Sequence, residues 1–194
     1  MPLAPKPRPA TYADIEALPP NRVGEMLHGV LHAHPRPRPR HAKATSELGA
    51  ELIAPFGRGR GGPGGWIILD EPELHLGADV LVPDLAGWRR TRLPHLPDTA
   101  CFELAPDWVC DVLSPATARL DRTDKLGLYA AWSVGHCWLV DPDARTLEAL
   151  TLTGGKWLLE ATFKDADAVP APPFQAHTFD LSVLWPEDAG TPSA

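Results

Sequence analysis

Residues 106–142, PDWVCDVLSPATARLDRTDKLGLYAAWSVGHCWLVDP, decide how this chain folds. Residues 108–113 form a short apolar run of strand length, ended by Ser114-Pro115. A helix follows from about residue 118 to residue 132, with Leu120, Leu128 and Tyr129 facing the core, and residues 137–140 make the next strand. Inside the first of these strands sits Asp111. An ionised carboxylate on a core strand is costly unless a partner or a metal meets it, so the segment that sets the fold also marks a place for chemistry.

Upstream, Thr11 and Asp14 form a weak capping box for a short helix over residues 12–18, stopped by Pro19-Pro20. Residues 23–33 read as a β-hairpin turning at His28-Gly29, which puts Glu25 on its first strand. Residues 41–56 carry Ala44, Leu48, Leu52, Ile53 and Phe56 at helical spacing, with Pro55 and Gly57 at the end. The loop GRGRGGPGG over 57–65 lacks the Lys-Ser/Thr ending of a phosphate-binding P-loop. Short strands are expected at 66–69, 74–76 and 80–88, with a Gly77-Ala78-Asp79 turn between the last two and Pro83 interrupting the third. Downstream, residues 146–152 and 156–163 repeat a hairpin grammar, and an apolar segment over 174–185 closes the fold. This order predicts a mixed α/β (α+β) class: one central mixed β-sheet flanked by helices, with an N-terminal β-hairpin and C-terminal β-hairpins.

With 194 residues, 44% of them hydrophobic and 22% charged, the chain is long enough to bury one core. Residues 1–10 read as a flexible proline-rich tail, 11–185 as one domain and 186–194 as a second flexible tail. The net charge of −7 excludes indiscriminate coating of nucleic acid, so any such contact must be local. Three dispersed cysteines indicate neither a disulfide framework nor a structural zinc site and read as buried, reduced thiols. With no bilayer-length apolar run and no signal sequence, the expectation is a cytoplasmic protein without a membrane partner.

Asp84 follows Pro83 at a point where a strand is interrupted and a side chain re-aimed. If its strand neighbours that of Asp111, the two carboxylates converge, and hard oxygen ligands of this kind suit Mg²⁺ or Mn²⁺. Lys125, on the following helix, is then the group that stabilises the transition state or orients the nucleophile. Blander readings stand beside these. Asp84 caps a turn, Asp111 pairs with Arg119 or Arg122, and Lys125 makes an ordinary i,i+4 surface pair with Asp121. His32, His34 and His41 have zinc-compatible spacing, and Glu73 is an additional acid near the same region. Arg36, Arg38, Arg40 and Lys43 form the one concentrated basic segment and are candidate nucleic-acid contacts, with Arg58 and Arg60 as reinforcement. Most tryptophans read as core, Trp88 being the one that invites a base-stacking role.

The 106–142 string, with VPDL at 82–85 and GEMLHGVL at 24–31, resembles the Uma-type restriction endonuclease family of the PD-(D/E)xK nuclease superfamily. The likeness runs from about residue 11 to residue 184 and implies a restriction-endonuclease-like fold. It implies that Asp84 is the motif aspartate, that Asp111 stands where the family usually has glutamate, that Glu25 is the acidic residue of the first hairpin and that Lys125 is the helical lysine. Two departures stand out: Asp111 is one methylene shorter than glutamate, and Leu113 occupies the position where many of the wider superfamily place lysine. The expectation is an endonuclease dependent on Mg²⁺ or Mn²⁺, cutting DNA as a possible homodimer, with Asp84, Asp111 and Glu25 as metal ligands. The alternatives are an inactive nucleic-acid-binding or interaction module that keeps the fold, and a zinc hydrolase built on His32, His34 and His41.

Overall fold

The computed structural model describes residues 8–186. Two sheets form the scaffold, and the chain builds the smaller one first. After a short helix α1 (Tyr12–Glu16), strands β1 (Arg22–Leu27) and β2 (Val30–Pro35) make the expected hairpin. His28 and Gly29 both take positive φ, 52° and 75°, as a two-residue turn matching strand twist demands. Helix α2 (Pro39–Leu52) starts with Pro39 in its first turn, where a missing N–H costs nothing, and widens into a π-helical turn at Ile53–Gly57 that contains Pro55.

Strands β3 (Trp66–Asp70), β4 (Leu74–Leu76), β5 (Asp79–Leu81) and β6 (Leu85–Arg89) follow. The expected single strand over 80–88 is two strands in two different sheets. β5 completes the small sheet, ordered β2-β1-β5-β4, whereas β6 enters the large one. Pro83 cannot donate to a ladder, so the chain leaves one sheet and joins the other across Val82-Pro83-Asp84.

The large sheet is ordered β10-β9-β8-β7-β6-β3 and adds β7 (Trp108–Val112), β8 (His136–Asp141), β9 (Thr146–Thr153) and β10 (Lys156–Lys164). Only the β7–β8 pairing in it is parallel, because those strands are joined by a helical crossover, while its other neighbours are antiparallel. The crossover comprises α3 (Ala118–Leu120), a π-helical turn at Asp121–Lys125 and α4 (Leu126–Ala131). A two-residue pairing, β11 (Ala168–Val169) with β12 (Phe179–Asp180), and a 3-10 turn at Leu181–Leu184 complete the C-terminal segment.

Both faces of the large sheet are covered, which is why every residue of β7 is buried. On one face Trp108, Cys110 and Val112 pack with Ala44, Leu48 and Leu52 of α2 and with Phe174. On the other, Val109 and Leu113 pack with Leu27, Leu74 and Leu81 of the small sheet and with Leu128 and Tyr129 of α4. By strand alternation Asp111 faces this second side, toward the seam between the two sheets.

The expected N-terminal tail is fastened where it is described: Arg8 forks onto Asp14, and the Ala10 N–H donates to the Gly29 carbonyl at 2.8 Å. Residues 1–7 and 187–194, most of both expected tails, lie outside the described residues. Among the described residues no helix is long and apolar enough to cross a membrane.

Candidate active site

A cavity of ≈ 740 Å³ opens at the seam, lined by Glu25 of β1, Asp84 of the crossing segment and Asp121 and Lys125 of the π-helical turn. His34, His41, Arg36, Arg38 and Arg40 also line it, as do the acids Glu71 and Asp143. Asp111 lies behind this lining, with only 1% of its side chain exposed.

The centre of the cluster is an ammonium group. Lys125 Nζ donates to Asp111 Oδ1 at 2.7 Å and lies 3.1 Å from Glu25 Oε1 and 3.5 Å from Asp121 Oδ1. All four side chains are at least 95% buried. The backbone explains how they meet. Where β5 leaves the small sheet, the Val82 N–H has lost its ladder, and Glu25 Oε1 accepts it at 2.8 Å. Where β6 begins only at Leu85, the Val112 N–H of β7 lacks a strand partner, and Asp84 Oδ2 takes it at 2.7 Å. The register Leu85↔Cys110 sets Asp84, just before β6, level with Asp111 of β7. Glu25 and Asp84 therefore stand in for missing sheet hydrogen bonds while turning toward one seam.

Three buried carboxylates against one ammonium leave an excess of negative charge that a low-dielectric site disfavours. Burial, opposed by Lys125 and reinforced by Asp121 and Asp84, pushes the Asp111 carboxyl up to about 8. Burial raises Asp121 in the same direction. Burial also works against the Lys125 charge, but Asp111 and Glu25 outweigh it, so the lysine stays protonated and its pKa rises. The cluster thus keeps Lys125 cationic and holds a proton on its carboxylates.

A consequence for stability follows. An acid whose folded-state pKa exceeds its unfolded one stabilises the fold below the unfolded value, and that contribution disappears as pH rises through the folded one. For Asp111 the window runs from its ordinary 3.8 to about 8. In chelator-treated protein the urea midpoint should therefore fall between about pH 5 and about pH 8 through a component that Asp111→Asn removes. Equal slopes for wild type and variant would contradict this.

Asp84 has a different environment, its side chain 18% exposed at the cavity wall and its Oδ1 3.2 Å from His41 Nε2. Burial opposes a charge on His41, yet the Asp84 carboxylate more than compensates and raises the imidazole pKa. His34 is pushed down by burial, and its Nε2 stands 3.8 Å from Glu25 Oε2.

Glu25, Asp84, Asp111 and Lys125 therefore meet at one seam, although Asp84 and Asp111 do not both face an open cavity: an ammonium, rather than space for an ion, lies among the deeper acids. The surface reading of the Asp121–Lys125 pair is overturned by the burial of both side chains, 4% and 3% exposed. Asp111 pairs with Lys125, whereas Arg122 reaches Glu148. Of the basic segment, Arg36, Arg38 and Arg40 line the cavity, Arg40 pairing with Asp143 at 3.2 Å, while Lys43 on α2 pairs with Glu47 at 3.0 Å. Arg58 lines a separate cleft with Trp66 and Arg90 and does not reinforce that lining.

The three histidines do not converge on one point: His34 and His41 turn to different carboxylates, and His32 packs 6.4 Å from the His34 ring. Glu73 bonds Tyr12 and His75 away from the cluster. Trp88 is fully buried, stacks on Phe102 and donates to the Leu104 carbonyl, which removes it from any base-stacking role. Cys110 and Cys137 are buried free thiols and Cys101 is half-buried. Sequence reasoning missed Asp121 and His41 as cavity residues. The i,i+4 spacing to Lys125 was the available signal for Asp121.

Among the described residues no three His, Cys, Asp or Glu side chains stand ready-assembled around a metal position. The donor chemistry nevertheless fits a hard dication: carboxylate oxygens predominate, and Asp111 Oδ2 is buried without a hydrogen-bond partner among the described residues.

A family model, Uma2, described as "Putative restriction endonuclease", matches residues 9–183. Among solved structures, the crystal structure of "a putative nuclease belonging to DUF820" from Anabaena variabilis ATCC 29413 matches with a TM-score of 0.72 at 22% identity, covering 91% of this chain and 97% of that one. That likeness concerns the fold. No curated protein matches the sequence.

Proposed function

Because the chain belongs to the Uma2 family, "Putative restriction endonuclease", we propose that it is a metal-dependent endonuclease that hydrolyses phosphodiester bonds in DNA. The observation that carries this reading is the buried Lys125 ammonium, 2.7 Å from Asp111 and 3.1 Å from Glu25, at a cavity whose wall presents Asp84. A structural ion pair needs one partner of opposite charge, and this one gathers carboxylates from two sheets beside an opening.

In the proposed site Asp84, Asp111 and Glu25 hold Mg²⁺ or Mn²⁺, with Asp121 as a further acid. The dication supplies polarisation of a phosphoryl oxygen and a water of lowered pKa. Arg36, Arg38 and Arg40 of the cavity lining hold the flanking phosphates, charge that an acidic protein needs locally to accept a polyanion. Arg40, engaged by Asp143, and Lys43, engaged by Glu47, contribute less. Lys125 neutralises charge developing on the phosphate and keeps the acids from repelling one another. Nucleases that cut both strands of a duplex often bring two such sites together, and the proposal includes a homodimer on that ground. The proposal places the enzyme in the cytoplasm.

The alternative is an inactive binding module, favoured by one observation: Lys125 already pairs with Asp111 and Glu25, two of the three acids a metal would use. Cleavage of supercoiled plasmid with Mg²⁺ or Mn²⁺, alongside calorimetric titration of Mn²⁺, separates the two. Cutting that chelator stops and metal restores is expected. Absence of both cutting and Mn²⁺ binding at about millimolar metal would favour the module, because carboxylate-rich sites hold such ions in that range or tighter.

A further inference from the structure

We propose that His41 is a positioning residue that fixes the Asp84 carboxylate for its work in the cavity, an inference that rests on the site reading above and extends it to a residue outside that set. Asp84 lies on the crossing segment between sheets, its carbonyl accepting from the Glu71 N–H at 3.0 Å but its side chain left to be fixed by other contacts. One oxygen, Oδ2, is tied to the Val112 N–H at 2.7 Å. A carboxylate held at one oxygen still swings about its Cβ–Cγ bond, whose torsion is broad. The second tie, His41 Nε2 at 3.2 Å from Oδ1, removes that freedom.

The donor itself is rigidly mounted. His41 sits in the first turn of α2, a helix anchored on the large sheet through buried Ala44, Leu48 and Leu52. Its side chain is 13% exposed, and Nδ1 is buried with no hydrogen-bond partner among the described residues. The polar surroundings of the ring are therefore Asp84 Oδ1, 3.2 Å from Nε2, and the Val112 backbone on the neighbouring strand, to which Asp84 is itself tied. With each carboxylate oxygen already accepting from one fixed donor, the remaining lone pairs have set directions, which is what a ligand-bearing acid requires of its surroundings. A lone structural histidine gains little from leaving one nitrogen buried and unmet. A helix-mounted clamp on the acid explains why the ring is held there.

The test uses the full chain, freed of metal by chelator and titrated with Mn²⁺ by calorimetry, comparing wild type, His41→Ala, His41→Gln and Asp84→Ala, each also unfolded in urea. His41→Ala should weaken Mn²⁺ binding by about 10- to 100-fold, the usual effect of removing a group that orients a ligand. His41→Gln, which can still offer an N–H, should recover part of that affinity, and plasmid cleavage should follow the same order through kcat more than KM. If Asp84→Ala loses Mn²⁺ and His41→Ala binds it as wild type does, the positioning role is refuted while the site reading stands. If neither substitution changes binding, or wild type binds no Mn²⁺, the site reading falls and this inference with it. Should His41→Ala fail to fold, His41→Gln decides: a folded variant with wild-type cleavage at every Mn²⁺ concentration when Asp84→Ala is inactive refutes it, and intermediate activity supports it.

Discussion

Replacing Lys125 with methionine will lower the stability of the fold by about 3–5 kcal/mol, the range for breaking a buried charge pair from one side. Methionine fills the space of the lysine stem, so packing is nearly kept. What is lost is the cation shared by Asp111, Glu25 and Asp121, all of them buried. The remaining acids must take up further protons to stay inside, so the loss should be larger at high pH than at low pH. Urea unfolding followed by tryptophan fluorescence measures it. Adding Asp111→Asn and Glu25→Gln to the methionine variant should return part of the stability, since only Asp121 of the three acids would then lack a counter-charge. A methionine variant within about 1 kcal/mol of wild type would mean the cluster behaves like an exposed ion pair, for which that is the usual ceiling.

Asp84→Asn will have the opposite profile, leaving the fold intact and removing activity. The asparagine carbonyl can still accept the Val112 N–H, so the bond that seats the crossing segment survives. The charge that the proposed dication needs does not. Metal-supported plasmid cleavage should drop by about 10³-fold or more, equivalent to about 4 kcal/mol of lost transition-state stabilisation. Initial rates over a Mn²⁺ series, with urea midpoints as control, provide the check. A variant that cuts at the wild-type rate would remove Asp84 from the chemistry altogether.

The contrast between these substitutions follows from where each residue stands, and sequence reached only part of that. The apolar run around Asp111 announced a buried acid, because burying a charge leaves a mark in the hydrophobic pattern of its own strand. Lys125 and Asp121 left no such mark. Four residues apart on a helix, they read equally as a solvated pair, and only the docking of that helix against β1 and β7 decides. His41 was read for its spacing to other histidines, whereas its partner lies beyond the whole of β3, β4 and β5. The two-sheet arrangement was hidden for a similar reason. Pro83 signals an interruption, but periodicity cannot say that the chain resumes in another sheet, which depends on pairings with β1 on one side and β7 on the other.

That arrangement has a consequence for how the protein ages and inactivates. Glu25 arrives on a hairpin of the four-stranded sheet, and its acidic companions arrive from the six-stranded sheet and its crossover. Local opening of the hairpin, a far smaller event than global unfolding, would pull one acid away and admit water to the others. Catalytic lifetime on warming should then track amide hydrogen exchange in residues 22–35, and fade well before the large sheet melts.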